Sequence, residues 1–277
     1  MPLPKITIVT PSFNSDRYLE ATLHSVLDQQ YPSLEYLLFD GGSTDGTRTI
    51  LERYNEKVQW RSEPDSGQSH AINKGLRAAT GEICAWINSN DLLLPGSLQT
   101  VGRYFAEHPE VELVFGNAYL VGEEGEPLGT YEEVGPVSTL AEKLLALNEV
   151  PQGHYAHLLN DHPGWIPQQA AFWRTTAMHR VGYLDEDLHY AMDYEFWLRL
   201  GREGTIHYVN EFLGAYRIHH DAKTTRAYLH WRDILAVNRR YHGRFGSRLH
   251  RRFLKAVKDA VLRRVKAATA AGKGADR

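Results

Sequence analysis

The sequence has few of the features that mark exported or membrane-embedded proteins. Its 277 residues include one cysteine, Cys84, which excludes an internal disulfide and favours a reducing compartment. No positively charged leader precedes a long apolar segment at the start, and no apolar run reaches the roughly 18 residues that a membrane-spanning helix needs. We therefore expect neither export nor integral insertion, and we predict a cytoplasmic location.

What the chain does contain is enough apolar material for one large core. Hydrophobic residues make up 42% of the sequence, and no internal repeat or low-complexity tract interrupts it. This composition predicts a globular protein, either a single α/β domain or a compact domain with a small appendage. Cys84 lies in the apolar segment 82–87, where we expect it to pack in the core.

Charge is divided unevenly along the chain. Residues 239–277 contain thirteen Lys and Arg against two acids, a net charge of +11, whereas residues 1–238 carry −14. The apolar residues of this basic tail recur at helical spacing, which predicts an amphipathic helix. Such a helix either packs on its own domain with a solvated basic face or rests on an anionic membrane surface, and the sequence leaves both open. No groove-reading motif accompanies the charge, so we expect no nucleic-acid partner.

Strand-like and helix-like segments alternate through the first half of the chain. The pattern predicts strands at 5–10, 34–39, 58–61 and 82–87, with helices at 16–29, 47–54 and 68–80 between them. Alternation of this kind favours a parallel sheet with right-handed crossovers, whose strand ends meet at one edge. For the first helix, Ser15 or Asp16 is the expected N-cap.

The second half is less regular. Its predicted elements are a helix at 95–107, a strand at 112–115, a hairpin or loop at 122–135, a helix at 140–147, a long loop at 148–167, a strand at 170–174 and helices at 175–181 and 194–201.

The most informative segment is DGGSTDGT, residues 40–47, because it directly follows a strand. A carboxylate at the end of a strand, followed by a turn rich in Gly, Ser, Thr and Asp, belongs at the ligand crevice of an open α/β sheet. Asp45 is better explained as a cap for the helix at Thr47 than as a ligand contact. Two further segments with carboxylates, SEPDSGQSHAINKG from Ser62 and WINSNDLLLPG from Trp86, follow at the spacing of successive strand–helix units. Together they suggest a site for a nucleotide sugar.

Four ordered motifs resemble one known family. They are ITIVTPSFNSDRYLEATLHSVLDQQYPSLEYLLFDGGSTDGT, EPDSGQSHAINKG, WINSNDLLLPG and MDYEFWLRL. The chain resembles family 2 glycosyltransferases of the GT-A fold over about residues 4–226. The resemblance implies an α/β fold with a mixed, mostly parallel sheet flanked by helices. It divides the chain into a nucleotide half (about 1–121), an acceptor half (about 122–226) and a basic amphipathic helical tail (227–277).

The resemblance also implies a set of donor-binding residues. A nucleoside diphosphate sugar needs hydrogen bonds to its base and ribose and neutralisation of its phosphates. The side chains or backbone groups expected to supply these are Thr10, Pro11, Ser12, Asn14, Asp40, Asp65, Asn73, Lys74 and Asn90. Two simpler interpretations stay open: Asp40 as a turn former, and Lys74 as a cation on an ordinary helix surface.

A divalent metal ion, Mn²⁺ or Mg²⁺, is the implied cofactor, since hard cations prefer carboxylate oxygens. The family commonly has two adjacent Asp where this chain has Asn90 and Asp91, so Asp91 is the expected ligand and the affinity is expected to be weaker. In the segment YRIHHDAKT, His219 matches the position of a further metal ligand, although a surface or loop-packing role is equally consistent with the sequence.

Asp193, in MDYEFWLRL, matches the family's catalytic base. It would deprotonate the acceptor hydroxyl from the face opposite the leaving nucleotide, which inverts the anomeric configuration without a covalent intermediate. A simple N-cap is the alternative role for Asp193, and Glu195 should face elsewhere. Trp165, Gln168 and Gln169 are expected near the acceptor.

These features predict an inverting, metal-dependent glycosyltransferase. Its expected partners are a UDP, GDP or dTDP sugar as donor and a glycan or lipid-linked glycan as acceptor, in surface polysaccharide biosynthesis. The basic tail allows a peripheral position at the inner face of the membrane. The alternative is a degenerate GT-A domain that binds nucleotides or acts as a scaffold without transferase activity, which Asn90 favours and the retained Asp91 and Asp193 disfavour.

Overall fold

The computed structural model describes residues 2–130, 166–219 and 227–242. They belong to two compact units, Met1–His219 and His220–Arg277, which are described separately. The division falls close to the domain end predicted at residue 226. The roles assigned to the halves 1–121 and 122–226 stay predictions.

The first unit is built on one mixed sheet with the strand order β3-β2-β1-β4-β8-β6-β9-β5, and β7 pairs with β6. The strands are β1 (Ile6–Ser12), β2 (Leu34–Asp40), β3 (Gln59–Ser62), β4 (Ile83–Trp86), β5 (Leu92–Leu93), β6 (Leu113–Val121), β7 (Pro127–Thr130), β8 (Ala171–Arg174) and β9 (Ile206–Arg217).

Helices join these strands and cover the sheet. They are α1 (Leu19–Leu27), α2 (Thr47–Glu52), α3 (Gln68–Ala78), α4 (Ser97–Glu107), α5 (Thr175–Val181) and α6 (Met192–Glu203), and a 3-10 turn spans Gln168–Ala170. The expected GT-A architecture, a mixed sheet flanked by helices, is confirmed.

The parallel part of the sheet is buried on both faces. Every residue of β1 is buried, as expected for a central parallel strand covered by helices on both sides. Gly75 lets α3 approach β1 closely, because an added Cβ would clash with Val9 Cγ1.

β1 pairs in parallel with β2 and β4, and β2 pairs in parallel with β3. The carboxyl ends of these four strands therefore meet at one edge, as predicted.

Beyond β4 the sheet contains antiparallel pairs, which make it mixed, as predicted. β8 runs antiparallel to both β4 and β6, and β5 runs antiparallel to β9. The helix predicted at 140–147, and the predicted loop at 148–167 up to residue 165, lie outside the described residues.

The first helix begins later than predicted. α1 starts at Leu19, and neither Ser15 nor Asp16 caps it through its side chain. Instead, the Ser15 carbonyl accepts hydrogen bonds from the N–H groups of Tyr18 and Leu19, and the Asp16 carboxylate accepts one from Gly46 N–H. The turn before α1 is thus fastened to the loop after β2.

In the second unit the structure describes one helix, α7 (Ala227–His242), which confirms the helical prediction over these residues. The rest of the predicted basic tail, 243–277, lies outside the described residues. Among the helices described, none is both long and apolar enough to cross a bilayer.

Candidate functional site

Three neighbouring strands end in a cluster of small polar side chains. Ser12 pairs in register with Asp40, and Asp40 with Ser62. The Asp40 carboxylate is 2% exposed and accepts hydrogen bonds from Ser43 N–H (2.9 Å), from the Ser62 hydroxyl (2.6 Å) and from the Ser43 hydroxyl. Ser12 Oγ is buried and has no hydrogen-bond partner among the residues that the structure describes. Since buried polar groups are normally paired, this hydroxyl marks a place where a bound molecule can complete the hydrogen bonding.

The loop after β1 is held against the loop after β2. Asn14 adopts a left-handed backbone conformation (φ 48°), and its N–H donates to Ser43 Oγ at 2.7 Å while its Oδ1 accepts from Thr44 N–H at 2.9 Å. Phe13, next to it, is 63% exposed. An aromatic ring this exposed beside organised polar groups offers a stacking face for a planar ligand.

Thr10 and Pro11 lie beneath this edge. Thr10 is buried, and its hydroxyl lies 3.1 Å from the hydroxyl of Tyr36 on β2. Pro11 is buried as well, in register with Phe39. The Thr10 side chain therefore packs in the core, and the predicted ligand contact through its backbone groups stays a prediction.

Gly41 sits at the closest approach of two loops. A Cβ at this position would lie 2.8 Å from Asp65 Oδ2 and 3.3 Å from Phe13 Cδ2, so a larger residue would have to displace the Asp65 carboxylate. Asp65 also accepts a hydrogen bond from Gly67 N–H at 2.8 Å. Asp65 and Phe13 therefore both lie against Gly41, so the structure brings Asp65 close to Asp40, another predicted donor-site residue, and adds Phe13 beside them.

Asp45 acts as predicted. Its carboxylate accepts hydrogen bonds from Thr47 N–H (3.0 Å) and Asp16 N–H (3.1 Å) and so satisfies a free N–H at the start of α2. Although partial burial raises the pKa of Asp45, the hydrogen bonds from Thr47 and Asp16 outweigh it and lower the pKa.

Lys74 and Asn73, on α3, are both engaged with protein groups. Lys74 Nζ pairs with the Glu63 carboxylate at 2.8 Å. Asn73 is 1% exposed and hydrogen-bonds Leu184 and Glu186. This geometry therefore does not favour a direct contact between the Asn73 side chain and a nucleotide-sugar donor.

Asn88, two residues beyond β4, connects three loops. Its Oδ1 accepts from Gln68 Nε2 (2.7 Å), and its Nδ2 donates to Asp91 Oδ2 (3.0 Å) and Gln168 Oε1 (2.9 Å). Gln168 in turn donates to the Trp86 carbonyl at 2.6 Å. The amide of Asn88 thus gathers the start of α3, the loop after β4 and the 3-10 turn at one point.

Asp91, the expected metal ligand, is enclosed by the protein. It is fully buried, and its oxygens accept hydrogen bonds from Arg217 N–H (3.0 Å) and Asn88 Nδ2. Burial raises the pKa of Asp91 to about 6, against the lowering effect of these two donors. This corrects the assignment of Asp91 as the main metal ligand, because its carboxylate anchors β9 to the loop after β4.

Asn90 and His219 meet next to this buried carboxylate. Asn90 Nδ2 lies 3.0 Å from His219 Nε2, and the His219 ring packs against Tyr18 with centroids 5.3 Å apart. Arg217 holds the same loop by donating from Nε to the Asn90 carbonyl at 2.9 Å. Across the described ranges, no three His, Cys, Asp or Glu side chains come together as metal ligands.

Asp193 lies in the first turn of α6, half-buried, where the helix dipole favours a carboxylate. The N-cap position belongs to Ala191, so Asp193 is not the N-cap, and its Oδ1 accepts from Tyr194 N–H at 2.7 Å. One turn later on the same helix face, Trp197 stacks on Trp86 at the end of β4, with ring centroids 5.6 Å apart. This stack packs the Asp193 side of α6 over the end of β4.

The predicted acceptor residues are only partly visible. Gln168 is bound to Asn88 and Trp86, as above. Gln169 is buried, its backbone lies against Gly214 of β9, and its Nε2 has no hydrogen-bond partner within the described part of the chain. Trp165 lies outside the described residues.

Sequence reasoning missed three residues of this site: Phe13, Asn88 and Arg217. Phe13 and Asn88 lie inside the quoted motifs, Phe13 directly before Asn14 and Asn88 two residues before Asn90. Their positions next to predicted site residues could have identified them. Arg217 is two residues before His219, within the same YRIHH segment, but its buried position could not be read from that spacing.

Comparison with known proteins gives a consistent result. The family model described as "Glycosyl transferase family 2" matches residues 7–157. TuaG of Bacillus subtilis (strain 168), named for teichuronic acid biosynthesis, is 36% identical over 133 residues, which cover 46% of this chain and 52% of TuaG. The chain thus spans about half the length of that relative.

Two solved structures share the fold. The mannosyltransferase PcManGT of Pyrobaculum calidifontis, solved with GDP-Man and Mn²⁺, aligns with a TM-score of 0.66 at 17% identity, over 99% of this chain and 80% of that one. S. aureus TarS 1-349, solved with UDP-GlcNAc, aligns with a TM-score of 0.61 at 18% identity, over 91% of this chain and 71% of that one. At these identities the likeness establishes the GT-A fold.

Proposed function

Since the chain belongs to glycosyl transferase family 2 and is a glycosyltransferase, we propose that it moves a sugar from a nucleoside diphosphate sugar to a glycan or lipid-linked hydroxyl, with inversion at the anomeric carbon. One observation carries this proposal. The carboxyl ends of β1 to β4 bring two groups of side chains to one edge: Asp40 with Ser12, Ser43 and Ser62 (the Asp40 cluster), and Asn88 with its hydrogen-bond partners. The Trp86–Trp197 stack packs α6, which bears Asp193, onto the same edge.

Donor binding begins at the Asp40 cluster. The orphaned Ser12 hydroxyl and the remaining acceptor capacity of Asp40 suit the hydrogen-bonding edge of a nucleobase, and the exposed Phe13 ring suits its face. Asp65, beside Gly41, completes this pocket. UDP, GDP and dTDP sugars are the candidate donors. The similar proteins of known structure bound UDP-GlcNAc and GDP-Man.

Transfer itself needs one proton acceptor. Asp193 takes the proton of the acceptor hydroxyl while that oxygen bonds to the anomeric carbon, and the bond from that carbon to the diphosphate oxygen breaks. The nucleoside diphosphate leaves from the opposite face. A single displacement of this kind inverts the configuration and requires no covalent intermediate.

The family implies a divalent ion, and the residues present fit one only in part. Asn90 and His219 would hold it, and the ion would neutralise charge on the diphosphate. An amide and an imidazole bring no negative charge. We therefore expect Mn²⁺ or Mg²⁺ to bind weakly to the protein alone and mainly through the phosphates of the donor.

The acceptor belongs, we propose, to surface polysaccharide assembly. Similarity to TuaG supports this. A cytoplasmic enzyme whose basic tail rests on the inner face of the membrane would meet a lipid-linked acceptor there. Co-sedimentation of the full chain with anionic vesicles at low and high salt tests this part, and no salt-dependent binding would remove it.

Two measurements test the function. Calorimetry with UDP, GDP and dTDP, with and without Mn²⁺, asks whether the edge binds a nucleotide, and a hydrolysis screen across nucleotide sugars identifies the donor. We expect one nucleotide to bind and one of its sugars to be consumed. A protein that binds nucleotide but turns over no donor and transfers no sugar would instead be the scaffold that the neutral Asn90 favours.

A further inference from the structure

The connector between α5 and α6, residues 182–191, is tied to α3 by buried hydrogen bonds. Asn73 donates from Nδ2 to the Leu184 carbonyl (2.9 Å) and to Glu186 Oε1 (2.8 Å), and its Oδ1 accepts from Leu184 N–H (3.0 Å). Ser69 Oγ donates to the Leu188 carbonyl at 3.2 Å. The amide of Asn73 therefore uses both its hydrogens and its oxygen on this one segment.

The start of the connector is also tied to α6. Arg199 donates to the carbonyls of Val181 (2.6 Å), Gly182 (2.9 Å) and Tyr183 (2.7 Å). The same guanidinium pairs with the buried Glu195 carboxylate at 2.8 Å. The connector thus stands between two helices and is bonded to both.

These ties link the two ends of the proposed site. α3 begins at Gln68, whose side chain bonds Asn88, directly after the Asp65 turn. α6 begins one residue before Asp193. A continuous set of hydrogen bonds therefore runs from the donor edge through α3 and the connector to the helix that carries the proposed base.

We propose that Asn73 and Glu186 are positioning residues that fix Asp193 relative to the bound donor. This inference rests on the proposed function, in which Asp193 is the base. A base that shifts by about 1 Å can lose on the order of a hundredfold in rate, so bonds that set the position of α6 control the transfer step. Binding of the sugar donor, at the loops before α3, does not use the Asn73 and Glu186 side chains.

The informative variant is Asn73→Asp. It removes the N–H group that donates a hydrogen bond to the Leu184 carbonyl. It also places a carboxylate against Glu186 Oε1, which in the wild-type protein accepts a hydrogen bond from Asn73 at 2.8 Å. We expect kcat to fall about 10- to 100-fold, with the Kd for the nucleotide within a factor of two of the wild-type value. Glu186→Gln should leave kcat close to wild type, because the oxygen of the new amide can still accept the hydrogen bond from Asn73.

The double variant, Asn73→Asp with Glu186→Gln, supplies the decisive readout. The amide introduced at position 186 can donate to the carboxylate introduced at position 73, so part of the lost kcat should return even though a second residue has been changed. Asp187→Asn, an exposed change in the same connector, is the matched control and should have no effect. If Asn73→Asp does not fold, Glu186→Leu takes its place, since it removes the acceptor without adding charge, and we again expect a lower kcat at unchanged nucleotide Kd.

An unchanged kcat, a nucleotide Kd that weakens in parallel with kcat, or a double variant no better than Asn73→Asp would each overturn the proposal. Failure of the proposed function looks different. In that case wild-type protein would show no transfer, or Asp193→Asn would be as active as wild type.

Discussion

Strand β2 carries a buried carboxylate at each end, and the protein surrounds the two differently. Glu35, near the start, accepts hydrogen bonds from the Thr7 hydroxyl (2.6 Å) and Thr80 N–H (2.8 Å) and pairs with Lys5 at 2.9 Å. Asp40, the last residue, accepts hydrogen bonds from Ser43 and Ser62 and lies beside the Ser12 hydroxyl, which has no partner among the described residues. Other residues of the fold satisfy the carboxylate at the amino end, whereas the carboxyl end is where we propose that a ligand binds.

The pKa values sharpen this contrast. Burial raises the pKa of Glu35, but the hydrogen bonds from Thr7, Thr80 and Lys5 outweigh it and lower the pKa to about 2. At the carboxyl edge, burial dominates and raises the pKa of Asp91 to about 6. The ionised Glu35 therefore stabilises the fold at neutral pH. The ionised Asp91, in the loop after β4, lowers the stability at the same pH, because the hydrogen bonds from Asn88 and the Arg217 N–H only partly offset the free-energy cost of its burial.

The largest effect on folding stability is expected at the amino end of β2. Because the pKa of Glu35 is lowered in the folded state, its stabilisation is full above the ordinary pKa of 4.5 and is lost as the pH falls towards 2. Glu35→Gln should lower the free energy of unfolding by about 2–3 kcal/mol at pH 7. Denaturant titrations at pH 7 and pH 3 measure this, and the difference between variant and wild type should shrink at pH 3. Nucleotide affinity should not change. A loss no larger than that of Glu52→Gln, an exposed control, would break the comparison.

At the carboxyl end, Gly41→Ala should act on binding and not mainly on stability. The added Cβ lies 2.8 Å from Asp65 Oδ2, so the walls of the nucleoside pocket must separate. We expect the nucleotide Kd to rise about 10- to 30-fold, corresponding to about 1.4–2 kcal/mol. Calorimetry measures this, with Thr44→Ala, an exposed change in the same turn, as the control. Equal affinities for the two variants would place the nucleoside elsewhere.

Asn88→Asp tests whether the neutral Asn88 amide stabilises the buried Asp91 carboxylate. It replaces the amide that donates to Asp91 Oδ2 at 3.0 Å with a second carboxylate. The free energy of unfolding should fall by about 1–3 kcal/mol at pH 8. The two carboxylates can share a proton at lower pH, so the loss should be smaller at pH 5 and should grow as the pH rises through about 6, the pKa of Asp91. Thermal unfolding across this range checks it, and a pH-independent loss would contradict it.

The smallest effect is expected for Asn90→Asp. A carboxylate beside His219 adds the charge that the present site lacks, so Mn²⁺ should bind several-fold more tightly in the presence of the nucleotide. Metal titration by calorimetry with and without nucleotide measures this. Unchanged Mn²⁺ affinity would show that Asn90 does not face the ion.

Local patterns were enough to predict the donor half of this fold. The runs that became β1, β2 and β4 and the turn at residues 40–47 are set by nearby residues, and Asp45 caps α2 as its spacing indicated. The antiparallel insertion of β8 between β4 and β6 could not be read this way. It depends on pairing between segments far apart in the chain.

Individual side chains were harder to predict than elements. Asp91 and Asn90 are neighbours, yet one is enclosed by Arg217 and Asn88 while the other meets His219. Asn73 carries the polar side chain of a ligand contact but faces the connector at Leu184. In both cases the partner is more than a hundred residues away or is set by the turn geometry, so sequence spacing could not decide which way the side chain points.

The most direct test of the account is the sugar-transfer rate of Asp193→Asn. The change keeps the shape of the side chain and removes the proton acceptor, so we expect the rate to fall by about 10²–10⁴-fold, with nucleotide affinity and thermal stability equal to those of wild type. A variant that transfers sugar within a few-fold of the wild-type rate would contradict the assignment of the base, and with it the proposed single-displacement mechanism at this edge of the sheet.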